Sequence, residues 1–108
     1  MNFSMSASSV VTTERAERLA KQFLSHWGRH TTPEPDGAGT IMRFQKTQDW
    51  PAAAVRVEAQ PERLLLTTWA DEREHLVGTC DSIAEHLHRF AGKHESLTID
   101  WAPQEEDE

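Results

Sequence analysis

A chain of 108 residues that is 37% hydrophobic, with one cysteine and a net charge of −7, has room for a single core built without disulfide staples. The composition excludes an intrachain disulfide framework. No stretch approaches the ~20 apolar residues of a bilayer span, and no basic stripe is evident that would release counterions from nucleic acid.

Four of the negative charges lie in Glu105, Glu106, Asp107 and Glu108, which leaves −3 for the rest of the chain. Residues 1–102 therefore read as one domain and 103–108 as an acidic, disordered tail. Met1–Ser9 has neither a basic start nor an apolar run, so no secretory leader is expected. A cytoplasmic location follows as the expectation, and the lone Cys80, on an apolar stripe, suits it as a small buried hydrophobe.

In chain order, Ser6–Thr13 holds Val10 and Val11 and reads as a short strand. Thr13 then caps a first helix whose stripe is Ala16, Leu19, Ala20, Phe23 and Trp27. The pairs Glu14–Arg18 and Glu17–Lys21 place acid before base four residues apart, and Gly28 marks the exit. Asp36-Gly37 is a turn signal, while Pro33 and Pro35 confine any strand before it to a sheet edge. Thr40–Gln45 and Ala53–Ala59 read as strands, Gln60–Arg63 as a turn, and Leu64–Trp69 as the most hydrophobic and central strand.

The longest periodic segment runs from Asp71 to Gly92. Leu76, Cys80, Ile83, Leu87 and Phe90 share one helical face, Asp71 with Glu74 forms a capping-box variant, and Gly92 suits the left-handed residue that closes a helix. Ser96–Trp101 alternates Leu97, Ile99 and Trp101 as a closing strand. Hairpin-length links between the middle strands predict an α+β two-layer sandwich: a mainly antiparallel sheet with two helices packed on one face.

Three stretches, E-R-A-E-R-L-A-K-Q-F-L-S-H-W, E-H-L-H-R-F-A and E-S-L-T-I-D-W, in this order and spacing resemble the bacterial domain of unknown function 2218 family. The likeness runs from about Ser6 to Trp101. It is most specific at His26 and Trp27, at His86, Leu87, Arg89 and Phe90, and at Trp101. The middle hairpins match only in pattern; a Gly-containing turn expected in the family is replaced here by Gln48-Asp49-Trp50-Pro51. The resemblance implies an uncharacterised small accessory or ligand-binding module, found alone or beside siderophore-interacting flavin proteins, and hence a link to iron handling. It carries over no catalytic residue and no cofactor.

Six histidines raise the question of a metal. At about 100° per residue, His86 lies roughly 90° to one side of the second helix's stripe and His88 roughly 110° to the other, so one ion cannot be shared between them. His26 and His30 have a shared-ligand spacing, but Gly28 ends the helix between them. No metal site is assigned. The absence of a Gly-rich phosphate loop, a G-x-S-x-G elbow or a Cys–His pair argues against an enzyme with a standard nucleophile.

His26 and His86 occupy like flanks of two antiparallel helices. Facing one another, they would line a groove with Arg89, with Ser82 and Thr79 nearby and Trp27 and Trp101 at its margins. Such a groove could hold a small anion or siderophore-related ligand or carry protons. The alternatives are a homodimerising interaction domain, using the exposed sheet face or a Trp-ended edge, and an enzyme using His26 and His86 as acid and base. Trp27, Trp69 and Trp101, each ending an element, are expected to plug core edges with their indole N–H groups on carbonyls. Trp50, beside Pro51, is expected to be exposed.

Overall fold

The computed structural model describes residues 3–48 and 50–105. β1 (Met5–Thr12) leads through a short link into α1 (Ala16–Trp27), which tightens into a 3-10 turn over Gly28–His30. The strands β2 (Glu34–Asp36), β3 (Gly39–Phe44), β4 (Ala53–Gln60) and β5 (Arg63–Ala70) follow, then α2 (Arg73–Ala91) and β6 (Ala102–Glu105). The six strands form one antiparallel sheet in the order β2-β3-β4-β5-β1-β6. β5 is central, as its hydrophobicity predicts, and the two edge strands both carry a proline, Pro35 and Pro103, whose missing amide blunts further pairing. No helix among the described residues is long and apolar enough to cross a membrane.

Both helices pack on one face of the sheet. Leu19, Ala20 and Phe23 of α1 and Ile83, Leu87 and Ala91 of α2 meet Val11, Met42, Val55, Val57, Leu64 and Leu66 in the main core. A smaller cluster of Ala7, Ala70, Leu76 and Cys80 closes the start of α2. Each helix follows its strand through a short link, and β1 and β5 are antiparallel, so the helices also run opposite ways. The α+β sandwich of the sequence reading is thus the fold.

Several local expectations are corrected. Asp71 does not cap α2; its Oδ1 accepts the Ser4 amide at 3.2 Å, and no side chain caps that helix. Thr13 is buried, accepts the Arg15 amide at 3.0 Å and donates to Glu95 at 2.6 Å, tying the entry of α1 to the loop after α2. The pairs Glu14–Arg18 and Glu17–Lys21 do not close among the described residues.

The closing strand is not Ser96–Trp101. Leu97 is buried there, and Ile99 and Trp101 pack on the core, but the ladder to β1 begins only at Ala102. Period-two burial reports which face a side chain takes and says nothing of where backbone partners lie. Residues 103–105, read as tail, therefore belong to the sheet edge, and the rest of that tail lies outside the described residues.

The Trp101 indole N–H is buried without a hydrogen-bond partner among them, contrary to the expected carbonyl. Trp69 faces away from the helices instead of plugging the core. It lies opposite Ser6 and Ala54, both small and buried.

Candidate functional site

The site grows from the C-terminal end of α1, where neighbouring residues point two ways. Trp27 turns inward, its ring 4.8 Å from Phe23, 5.7 Å edge-on to Phe44 and 5.6 Å at 90° to His86. His26 takes the outer flank, 4.9 Å from the His86 ring and 5.9 Å from Phe90. The His86 ring is thus bracketed by both. Its Nδ1 lies 2.8 Å from the Ser82 carbonyl. A carbonyl only accepts, so Nδ1 carries hydrogen and donates, which leaves Nε2 as the free acceptor of the neutral ring.

The histidines border a cleft of about 970 Å³. One wall is α2, contributing Glu74, His75, Gly78, Thr79, Ser82 and His86; the opposite wall is Phe44 at the end of β3 with Gln45, Thr47, Trp50 and Pro51 of the loop after it. Trp50 is 67% exposed, as expected for that loop. It is held by the Thr47 amide donating to its carbonyl at 2.8 Å and by its own amide donating to Thr47 Oγ1 at 3.0 Å. At the rim Arg43 pairs with Glu34, and Thr31 donates to the Arg43 carbonyl at 2.6 Å.

Gly78 was missed by the pattern reading. It sits inside α2, where glycine costs about 0.5–1 kcal/mol relative to alanine, yet a Cβ built there meets nothing within 4 Å. Packing does not require it, and its bare backbone keeps the α2 wall open. A glycine inside an otherwise regular helix was the available signal.

Of the six residues placed in the groove, His26, Trp27, Ser82 and His86 line the cleft together with Thr79. Arg89 and Trp101 do not. Arg89 points outward, 3.8 Å from Glu85, and Trp101 packs between the two core clusters. His30 and His75 line the cleft as well, whereas His88 is exposed.

His26 is exposed, yet partial desolvation of its ring holds it below the usual imidazole value of 6.5, and the neighbouring His86, Arg29, Arg89 and His30 push it the same way. Two of these neighbours, Arg29 and Arg89, are permanent cations, so this corner carries positive charge although the chain as a whole is acidic. Among the described residues no group of three or more His, Cys, Asp or Glu side chains could hold a metal ion. Cys80 is not reactive: burial pushes its thiol up to about 11, the Thr68 hydroxyl opposing that rise, so almost no thiolate exists at neutral pH.

Fold and cleft together define a class: a small two-layer α+β domain with a cleft of imidazoles and indoles beside the C-terminal end of its first helix. A family model described as an uncharacterized protein conserved in bacteria (DUF2218) matches residues 8–102, and the chain belongs to that family. It is similar to PA4090 from Pseudomonas aeruginosa, known from an NMR structure, with 26% identity and a TM-score of 0.69 over 91% of this chain and 95% of that one. No curated protein matches.

Proposed function

We propose that this protein is a small-ligand-binding module whose site is the cleft, and that its ligand is a planar organic anion. The observation that carries the reading is the juxtaposition of His26, His86 and Trp27 along a cleft of about 970 Å³, within the range that takes a small organic molecule. Trp27, Phe44 and Trp50 offer apolar faces for a ring. The electropositive corner at His26 favours a negative group, which can accept hydrogen bonds from imidazolium. Ferric catecholate siderophores, the link implied by the family likeness, are planar-ringed anions and fall within this class.

The test is titration with 1-naphthoate and with a ferric tris-catecholate, following tryptophan fluorescence. Saturable quenching is expected. Gly78→Phe, which places a ring into open space, abolishes it while the fold is retained by circular dichroism, and the double variant His26→Ala/His86→Ala weakens it tenfold or more. Undiminished binding by Gly78→Phe, or no saturable signal with either anion, overturns the reading.

A second reading, a homodimer, is favoured by the sheet's uncovered face, where Val10 is 58% exposed beside the half-buried Leu65, with the half-buried Trp69 four residues along β5 on the same face. A concentration-dependent mass in sedimentation, abolished by Val10→Lys, is its expected signature. A constant monomer mass removes it.

A further inference from the structure

Beyond His26 the surface dips into a second hollow of about 510 Å³, lined by Arg18, Lys21, Gln22, His26, Arg29 and Phe90 among others. Residues 18, 21 and 22, 25 and 26, and 29 recur on one stripe of α1 and the turn after it, which gathers three cations on one surface. No carboxylate lines the hollow. Arg18, Lys21 and Arg29 form no ion pair among the described residues, although carboxylates outnumber cations 18 to 11 in the chain. Averaged composition hides this short basic stripe.

Two arginine forks and an ammonium lining one hollow suit a tetrahedral dianion better than a single carboxylate, because each guanidinium can bind two oxygens. His26 borders both this hollow and the cleft. The proton affinity of its ring is lowered by desolvation first and then by His86, Arg29, Arg89 and His30, so Arg29, which lines the hollow, is also felt at that junction.

We propose that the hollow binds a phosphoryl group carried by the same planar ligand whose ring lies in the cleft, the two parts meeting over His26. This rests on the cleft being a ligand site, and it narrows the ligand to a phosphorylated aromatic molecule.

Calorimetric titration of the intact protein with 1-naphthyl phosphate, 1-naphthoate and inorganic phosphate tests it. Naphthyl phosphate is expected to bind at least tenfold more tightly than naphthoate. The exposed-surface variant Arg18→Ala/Arg29→Ala removes that advantage, weakening naphthyl phosphate about tenfold more than naphthoate, which loses only the more distant attraction of the Arg29 charge, and keeps the wild-type melting temperature. Raising salt weakens naphthyl phosphate more than naphthoate, as expected for contacts open to screening.

Equal affinities for the two naphthyl ligands, or an arginine double variant that retains the difference, overturn the phosphoryl assignment and leave the cleft reading standing. Inorganic phosphate binding that depends on Arg18 and Arg29, with no binding of either naphthyl ligand, overturns the cleft reading and with it the bridging ligand. Silence from all three ligands overturns both.

Discussion

The three arginines of the strands and the three cations of α1 and its following turn are held in opposite ways. Arg43 pairs with Glu34, and Arg63 donates to Gln60 at 3.0 Å. Arg56 donates to Asp36 Oδ2 at 2.9 Å, to the Asp36 carbonyl at 2.8 Å and to Glu58 at 2.9 Å. Arg18, Lys21 and Arg29 have no such partner among the described residues. The strand arginines do structural work, since Arg56 fastens the β2–β3 hairpin to β4. Gly39 permits it: a Cβ there would stand 2.8 Å from the Val57 carbonyl and 2.9 Å from the Arg56 guanidinium carbon. The difference teaches that a satisfied charge cluster holds the fold together, whereas converging unsatisfied charges leave interaction energy for something outside the chain.

Substitutions can break this contrast. The largest effect is expected at Arg56→Ala, which strips partners from Asp36 and Glu58 and should lower stability by about 1–2 kcal/mol, discounted for partial exposure. The sign with pH follows from Glu58. Hydrogen bonds from Gln60 and then Arg56 hold its carboxyl below the usual range, so its contribution is present above the ordinary carboxylate value and is lost as pH falls through the lowered folded value. Denaturant titrations from pH 7 to 3 should show the gap between wild type and variant closing in acid.

A smaller effect of opposite sign is expected at Gly78→Ala, a gain of about 0.5–1 kcal/mol read as a higher melting temperature, since the new methyl meets nothing and the helix loses its flexible residue. Arg18→Ala/Arg29→Ala should change stability by less than about 0.5 kcal/mol; a large loss there would mean that these cations are structural after all.

Much of the architecture was legible because it depends on periodicity. The stripe of α2 from Leu76 to Leu87 is buried as read, Gly92 has φ 59°, and Gly37 has φ 63° at the first position of the β2–β3 loop, where a type II′ hairpin places glycine. The meeting of His26 with His86 was also legible, because a flank angle can be measured from a known stripe. Arg89 went astray because a flank angle does not say which way a long, exposed side chain turns; its guanidinium lies on the helix surface, 3.8 Å from Glu85 four residues before it. Trp101 was misplaced together with the strand boundary. The cleft's second wall, built from Phe44, Gln45, Thr47, Trp50, Pro51 and Ala53, was not legible at all. It depends on how far the β3–β4 loop stands from α2, a tertiary distance that no pattern within either segment encodes.

The smallest expected effect is the most specific to the helix side, and it concerns His26. Partial desolvation first, and then the neighbouring His86, Arg29, Arg89 and His30, hold the folded ring below 6.5. The unfolded chain therefore binds more protons between that lowered value and 6.5, and stability falls as pH drops through this window. Above it the ring is neutral in both states and contributes no slope. His26→Gln removes the titrating group, so variant and wild type should match at pH 8 while the variant declines less between pH 7 and 5. A bound anion acts in the opposite direction: it favours the imidazolium, raises the proton affinity of His26 and should bind more tightly as pH falls from 8 to 7, where a phosphate monoester, with its second ionisation at about 6, is still mostly dianionic. Opposite pH slopes for stability and for 1-naphthyl phosphate affinity, both reduced by the same glutamine, would separate a repelled cluster awaiting an anion from imidazoles that only fill space between two helices.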